Sequence, residues 1–272
     1  MYDLVYIYEF EGNVSSRTPL VKADEDYIGF WKEANYSFLF FKKEKKALLQ
    51  KHFPPYRSEL VIRHEDWESG NSLDISRVGR FILYPPWKYP PRNEGIPICI
   101  DPGMAFGSGY HASTKGCLTL LDKLFQEFIP EKVLDLGTGT GILSIACLKM
   151  GSKFTYSLDY NNLSIETAKK NRNQNGVEKS LHLWMGEAKD FLYLNADLLL
   201  ANLHFQVIDA ITDEDLFYTK KYYLLSGLLG QEGYQIEQKV KRRLTLLDSH
   251  QENFWFTYLF RNLYVDSGTE RV

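Results

Sequence analysis

The chain has 272 residues, enough for one large domain with a smaller one beside it. Hydrophobic residues make up 44% and charged residues 25%, with a formal net charge of -3. That balance excludes a disordered or fibrous chain, and it lacks the surplus of Lys and Arg that a nucleic-acid footprint needs.

The first residues carry no basic region followed by a long apolar core, so no secretory signal is read there. No stretch nears the roughly 20 apolar residues of a membrane span, and a cytoplasmic location is expected. Residues 4–10 and 36–41 are rich in aromatic and β-branched types and predict strands. Residues 42–52 have helical composition, ended by Pro54-Pro55. Residues 59–66 and 78–84 predict two further strands. The stretch 85–97 holds five of the ten prolines and marks a connection, so a domain boundary is placed at about residue 93. That gives a small α+β domain over 1–92 and a second domain over 93–265. Beyond it strands and helices alternate: strand 133–136, helix 141–150, strand 154–159, helix 163–175, strand 181–185, strand 197–201, a helix-capable segment, strand 222–226 and helix 234–243. Residues 244–247 and 254–260 then read as a closing antiparallel hairpin. Such alternation implies a mostly parallel sheet of an α/β domain. Cys99, Cys117 and Cys147 have no metal-ligand spacing and read as reduced, buried thiols. No metal site is expected.

The run Val133-Leu134-Asp135-Leu136-Gly137-Thr138-Gly139-Thr140-Gly141 takes an apolar strand into three glycines at alternate positions. Glycines there let the backbone turn tightly and approach a ligand, and the following helix adds free N–H groups. Gly137, Gly139 and Gly141 are therefore candidate cofactor-binding residues. The spacing G-x-G-x-G differs from the G-x-G-x-x-G of dinucleotide enzymes. Asp135 can anchor a cationic amino group, and it would repel a pyrophosphate. Asp159 closes the next strand, where a carboxylate can bind both ribose hydroxyls. The plainer reading of Asp159 is a helix cap, and that of the loop is a structural turn.

The Asp135–Gly141 run with Asp159 resembles the class I, Rossmann-like methyltransferase signature. The segment Asp101-Pro102-Gly103-Met104-Ala105-Phe106-Gly107-Ser108-Gly109-Tyr110-His111-Ala112-Ser113-Thr114 resembles the corresponding segment of the bacterial ribosomal protein L11 methyltransferases. Ala201-Asn202-Leu203 and Ser226-Gly227-Leu228-Leu229 resemble that family's strand ends. The resemblance covers about residues 60–260. It implies S-adenosyl-L-methionine as cofactor, with contacts from Thr114, Gly137, Asp159 and Asn202, and with Phe106 and Gly107 over the bound cofactor. It also implies a small substrate-recognition domain at the front. Ser108, Tyr110, Ala112 and Ser113 depart from the family pattern. Asp66-Trp67-Glu68 matches it, but a second tryptophan a few residues on is missing. These departures bear on the substrate side more than on the cofactor side.

For transfer to an amine, the nucleophile must be neutral and its lone pair aligned with the methyl group. Asn202 is the candidate catalytic residue, its carbonyl an acceptor for the amine; the alternative is a cap on the next helix. His111 and His204 read either as proton acceptors or as residues that fix backbone. Trp67 and Trp87 read as core or as substrate-facing. Lys42–Lys46 and Lys239–Arg243 read as solvated helix faces or as contact sites. The reading is a protein N-methyltransferase acting on amines, lysine side chain or N-terminus, of a large-subunit ribosomal protein, with no membrane and no direct nucleic-acid partner. Its alternatives are a methyltransferase of the same fold acting on nucleic acid or a small amine, and a binding relative without activity.

Overall fold

The computed structural model describes residues 4–33, 35–63, 74–91, 94–103 and 105–265. Expected features at Asp66-Trp67-Glu68, Arg92, Asn93 and Met104 lie outside the described residues. The chain divides into two compact units, residues 1–73 with 161–163, and residues 74–160 with 164–272.

The first unit contains β1 (Leu4–Glu11), a 3-10 turn (Ser15–Leu20), β2 (Tyr27–Glu33), β3 (Tyr36–Phe41), α1 (Lys46–His52) and β4 (Ser58–Arg63). The strands form an antiparallel sheet in the order β2-β3-β1-β4. Alternation along β1 and β3 sends Tyr8, Phe10, Leu39 and Phe41 to one face, where they bury against Leu49 and Phe53. The Tyr8 hydroxyl accepts the Lys45 N–H at 2.9 Å, tying the sheet to the start of α1. Burial pushes that phenol up to about 12. Sequence patterning missed β2. Its Tyr27, Ile28, Phe30 and Trp31 are strand-formers lying inside a stretch that reads as polar overall.

The second unit begins with a small sheet of β5 (Ser76–Val78), β6 (Phe81–Tyr84) and β7 (Ile96–Cys99). There follow α2 (Ala112–Glu127), β8 (Lys132–Leu136), α3 (Ile142–Lys149), β9 (Phe154–Asp159), α4 (Asn162–Gln174), β10 (Leu181–Met185), β11 (Leu198–Asn202), α5 (Phe205–Ile211), β12 (Tyr222–Leu229), α6 (Gly230–Val240), β13 (Thr245–Glu252) and β14 (Trp255–Arg261). The main sheet runs β10-β9-β8-β11-β12-β14-β13. It is parallel through β12, and the β13–β14 hairpin adds antiparallel pairing, with β14 reversed against both β12 and β13. This is the expected α/β architecture with a C-terminal hairpin.

The small sheet spans the expected boundary near residue 93. The strands on either side of that point, β6 and β7, pair with each other in parallel. Phe81, Leu83, Ile98 and Ile100 share one core with Leu118, Leu121 and Leu124 of α2 and Ile142 and Ala146 of α3. A division at 93 would cut that core. Arg80 on the β5–β6 turn also forms an ion pair with Asp122 of α2. The expected single strand 78–84 is interrupted because Gly79 and Arg80 make this turn.

Helix α2 was not anticipated. Its first turns carry Ser113, Thr114 and Gly116, all weak helix formers, and ten of its sixteen residues are buried. A helix covered on most sides shows no clean apolar stripe. Gly116 has a structural reason: a Cβ there would stand 2.4 Å from the Thr257 hydroxyl.

Among the described residues of this unit, Lys220 is a fully buried lysine. Lys220 is 1% exposed, and its Nζ donates to Leu192 O at 2.5 Å, Thr219 Oγ1 at 2.6 Å and Leu216 O at 3.4 Å. All three acceptors are neutral, and burial pulls the amine down to about 8. Below that pH the amine is charged both folded and unfolded, and folding bears the full cost of burying a charge. The cost is released as pH rises from about 8 toward the unfolded value near 10.4. Relative to Lys220→Met, the wild-type chain should therefore gain thermal stability between pH 8 and 10. A difference in Tm that stays constant across that range would contradict this account.

Candidate functional site

The main sheet reverses its winding between β8 and β11: β9 and β10 follow β8 to one side, and β11 and β12 lie to the other. Open α/β sheets bind ligands at the carboxyl ends of the strands at such a switch point. Ala201 pairs with Leu136, so Asn202 ends its strand beside Gly137. Two glycines of the loop are demanded by geometry. Gly137 has φ +70°, and a Cβ there would lie 2.1 Å from Leu203 Cδ2. Gly139 has φ +56°, and a Cβ would lie 2.3 Å from the Phe106 carbonyl oxygen. Gly141 occupies the N-cap of α3.

The two acids lie at the roots of this loop. Asp135 is 1% exposed, and its Oδ2 accepts the Thr138 hydroxyl at 2.7 Å and the Ser144 hydroxyl at 2.6 Å. It thus ties the strand, the loop and the first turn of α3 together. Burial, reinforced by nearby Asp159 and opposed by the two hydroxyls, pushes its carboxyl up to about 6. Among the described residues no cation is paired with it. Asp159 ends β9, is 6% exposed, and accepts the Gly139 N–H at 3.0 Å. The cap on the following helix is supplied instead by Asn161, whose Oδ1 accepts the Leu163 N–H at 2.9 Å.

A strap ahead of α2 closes against the loop. Thr140 donates its N–H to Phe106 O at 3.0 Å and its hydroxyl to Gly107 O at 2.6 Å. Phe106 itself is 46% exposed. His111 is the N-cap of α2, its Nδ1 accepting the Ser113 N–H at 3.3 Å. The backbone-fixing reading of His111 is therefore realised. With Nδ1 an acceptor, the neutral ring carries its proton on Nε2, which cannot then accept another. Burial lowers this imidazole below its ordinary range, against the pull of Glu252.

Two buried acceptors face this region without partners. Thr114 Oγ1, in the first turn of α2, and Asn202 Oδ1, at the end of β11, are both buried and make no hydrogen bond among the described residues. Leaving such atoms unmade costs about 1–3 kcal/mol each, which a ligand donor would recover. Asn202 is not the cap of α5; His204 holds that position and gives no side-chain cap bond.

The structure thus brings Phe106, Gly107, Thr114, Asp135, Gly137, Gly139, Gly141, Asp159 and Asn202 to one edge of one unit. Other candidates fall away. The basic runs are matched by acids: Lys45 pairs with Asp24 and Asp26, Lys239 with Asp209 and Asp213, and Arg243 with Asp215. All three cysteines are free and buried. Burial pushes the Cys117 thiol up to about 12 and Cys147 well above the ordinary value, so neither is a nucleophile. Sequence reasoning missed Ser226 as an organiser. Its hydroxyl meets Thr257 Oγ1 at 2.7 Å and donates to Ser113 O at 3.3 Å, joining β12, β14 and α2. It also missed Trp255, whose ring packs on His111 with centroids 4.6 Å apart. No local spacing signals either, because both act across strands.

Known proteins resemble this chain in sequence and in fold. A family model described as Ribosomal protein L11 methyltransferase (PrmA) matches residues 10–262. A ribosomal protein L11 methyltransferase of Nitratiruptor sp. is 36% identical over 210 residues, covering 75% of this chain and 71% of that protein. One from Syntrophomonas wolfei is 33% identical over 187 residues, covering 66% of this chain. That match spans 60% of the Syntrophomonas protein, less than two thirds of its length. One from Desulforamulus reducens is 27% identical over 262 residues, covering 93% of this chain and 82% of that protein. A solved structure titled as a ribosomal protein L11 methylase, from Lactobacillus delbrueckii subsp. bulgaricus, superposes with a TM-score of 0.61. It is 23% identical and covers 70% of this chain and 98% of that one, a likeness of fold. With the model matching most of its length and the fold shared, the chain belongs to the ribosomal protein L11 methyltransferase family.

Proposed function

We propose that the protein is an S-adenosyl-L-methionine-dependent N-methyltransferase that methylates amines, lysine side chain or N-terminus, of a large-subunit ribosomal protein. A cytoplasmic location is part of this reading; among the described residues no helix is long and apolar enough to cross a membrane. The observation that carries the reading is the pair of buried, unpartnered acceptors, Asn202 Oδ1 and Thr114 Oγ1, at the strand edge beside a glycine loop. The residues present fit the cofactor. Gly137 and Gly139 leave no room for a Cβ, so backbone lines the cradle. Asp135 is a buried carboxylate without a paired cation among the described residues, which suits a cationic ligand. Its exposure of 1% makes it act through its field and through the loop rather than by open contact.

When bound, the cofactor supplies an activated methyl group on a sulfonium. The chain's own residues prepare the acceptor. Asn202 Oδ1 accepts an N–H of the amine and aims the lone pair, and Thr114 Oγ1 completes the polar lining. Phe106, on the strap over the loop, excludes water from the transfer point. Asp159 receives the ribose hydroxyls at the end of β9. The amine must arrive neutral, and desolvation beside these residues favours that form.

Tritium-labelled cofactor and large ribosomal subunit components from a host lacking this gene test the assignment. Label confined to one ribosomal protein is expected; label in RNA alone would overturn it. For the ribose assignment, Asp159→Ala should weaken cofactor binding by at least about tenfold in calorimetry, the scale of a lost hydrogen-bonded carboxylate. Unchanged affinity would remove Asp159 from the site.

A further inference from the structure

The two edges of the main sheet are built differently. At one edge β13 is blunted. Its pairing with β14 shifts register between Leu246 and Asp248, and its Asp248 and Glu252 hold Lys123 and Lys115 of α2. A bulge and charges are how a sheet edge is kept from pairing with another chain. At the other edge β10 has neither device. Its residues, Leu181-His182-Leu183-Trp184-Met185, pair with β9 in unbroken register and include no Asp, Glu, Lys, Arg or Pro. Among the described residues no strand pairs with its outer side.

The hydrogen bonds of β10 show which groups face outward. Ser180 O accepts the Thr155 N–H at 2.9 Å, and the Gly186 N–H donates to Asp159 O at 3.1 Å. Parallel pairing alternates along the strand, so even-numbered residues bond to β9 and the backbone groups of Leu181, Leu183 and Met185 point away from it. Arg172 Nη1 reaches the Leu181 carbonyl at 3.5 Å, the outer limit of a hydrogen bond. The side chains divide by face. Leu181 and Leu183 pack into the core shared with α2 and α3. His182 and Trp184 stand on the opposite face in a row of rings. Tyr156 lies 5.9 Å from His182 and 5.8 Å from Trp184, and Phe191 lies 6.4 Å from Trp184. The crossover from β10 to β11 holds a 3-10 turn (Ala188–Phe191) and no α-helix that could cover these rings. Trp184 and Met185 remain 39% and 63% exposed.

We propose that β10 is a homodimer edge, pairing antiparallel with β10 of a second copy about a two-fold axis at Leu183. The strand itself sets that register. Centred on Leu183, the pairing uses all five residues and joins the outward groups of Leu181 to those of Met185 in the second copy. It also sets His182 opposite the second copy's Trp184, so the two rows of rings meet on one face. Two residues before the strand stands Lys179, and two residues after it stands Glu187, both exposed. The same register brings Lys179 toward Glu187 of the second copy at both ends of the seam. A centre moved one residue either way carries strand residues past the end of their partner and parts these charges. The edge is thus self-complementary, as a two-fold interface requires. The strand's own reverse supplies the matching charge at both ends, which selects a second copy over an unrelated extended segment. None of this depends on methyl transfer.

Sedimentation velocity of the full chain over a concentration series, at low salt, tests the pairing. The mass should rise from 31.6 kDa toward twice that value, with a dissociation constant at or below about 50 μM. Met185→Lys, on an exposed side chain, should leave Tm unchanged and weaken the dimer at least about tenfold. Glu187→Lys should weaken it about fivefold by facing like charges, and adding Lys179→Glu should restore it. That rescue reads the register and would not follow from a merely structural role of either residue. A monomer at every concentration, a dimer that Met185→Lys leaves intact, or a charge swap that Lys179→Glu fails to restore would overturn the proposal. So would a chain that stays monomeric while its β10 edge takes up an unrelated strand-forming peptide.

Discussion

A buried carboxylate organises the glycine-loop edge of the main sheet. Asp135 sits at the end of the central strand β8, 1% exposed, with hydroxyls of Thr138 and Ser144 on one oxygen. Removing a charge from water costs several kcal/mol unless it is paired. Here two hydroxyl donors offset that cost in part, and the carboxyl still titrates near 6. The same two bonds fix the loop that carries Gly137 and Gly139 and set the start of α3. Holding a carboxylate poorly compensated in the free protein leaves a negative field at the one point where a cationic ligand would be welcome. The stability lost to burial becomes affinity when such a ligand arrives.

The other polar atoms of the edge follow the same logic. Asn202 Oδ1 and Thr114 Oγ1 are buried and unbonded among the described residues, and each is delivered by a different element. β11 delivers Asn202 by its register with β8, and α2 delivers Thr114 in a first turn capped by His111. Ser226 welds β12, β14 and α2 beneath them. Rigid strands and one capped helix thus hold atoms that would otherwise relax into local hydrogen bonds. Such preorganisation lets binding energy go into alignment rather than into folding the site.

How much of this was legible depends on the range of each interaction. The glycine loop and Asp159 could be read because a strand, a turn and a helix within a few tens of residues dictate them. The parallel α/β order and the closing hairpin were legible for the same reason. Helix α2 was not, since its buried sides and its Ser113, Thr114 and Gly116 erase the usual periodicity. Prolines mark an irregular path and say nothing of a core: β6 and β7 straddle that stretch and share their core with α2 and α3. The bonding role of Ser226 and the place of Trp255 were not legible because their partners lie across strands, at distances no local spacing encodes. The sequence also pointed Asp135 at a ligand amine, whereas the structure adds that its oxygen is already engaged in holding the loop.

The central claim is that Asp135 meets its ligand as a charge. Binding of a cation requires the ionised carboxyl, so affinity must fall as pH drops through the carboxyl's titration near 6. Calorimetry of S-adenosyl-L-methionine binding at pH 5 and pH 7.5, in the wild type and in Asp135→Asn, tests this. The account predicts about tenfold weaker binding at the lower pH in the wild type, and weak binding with less pH dependence in the variant. Equal affinities at both pH values in the wild type, matched by Asp135→Asn, would contradict it.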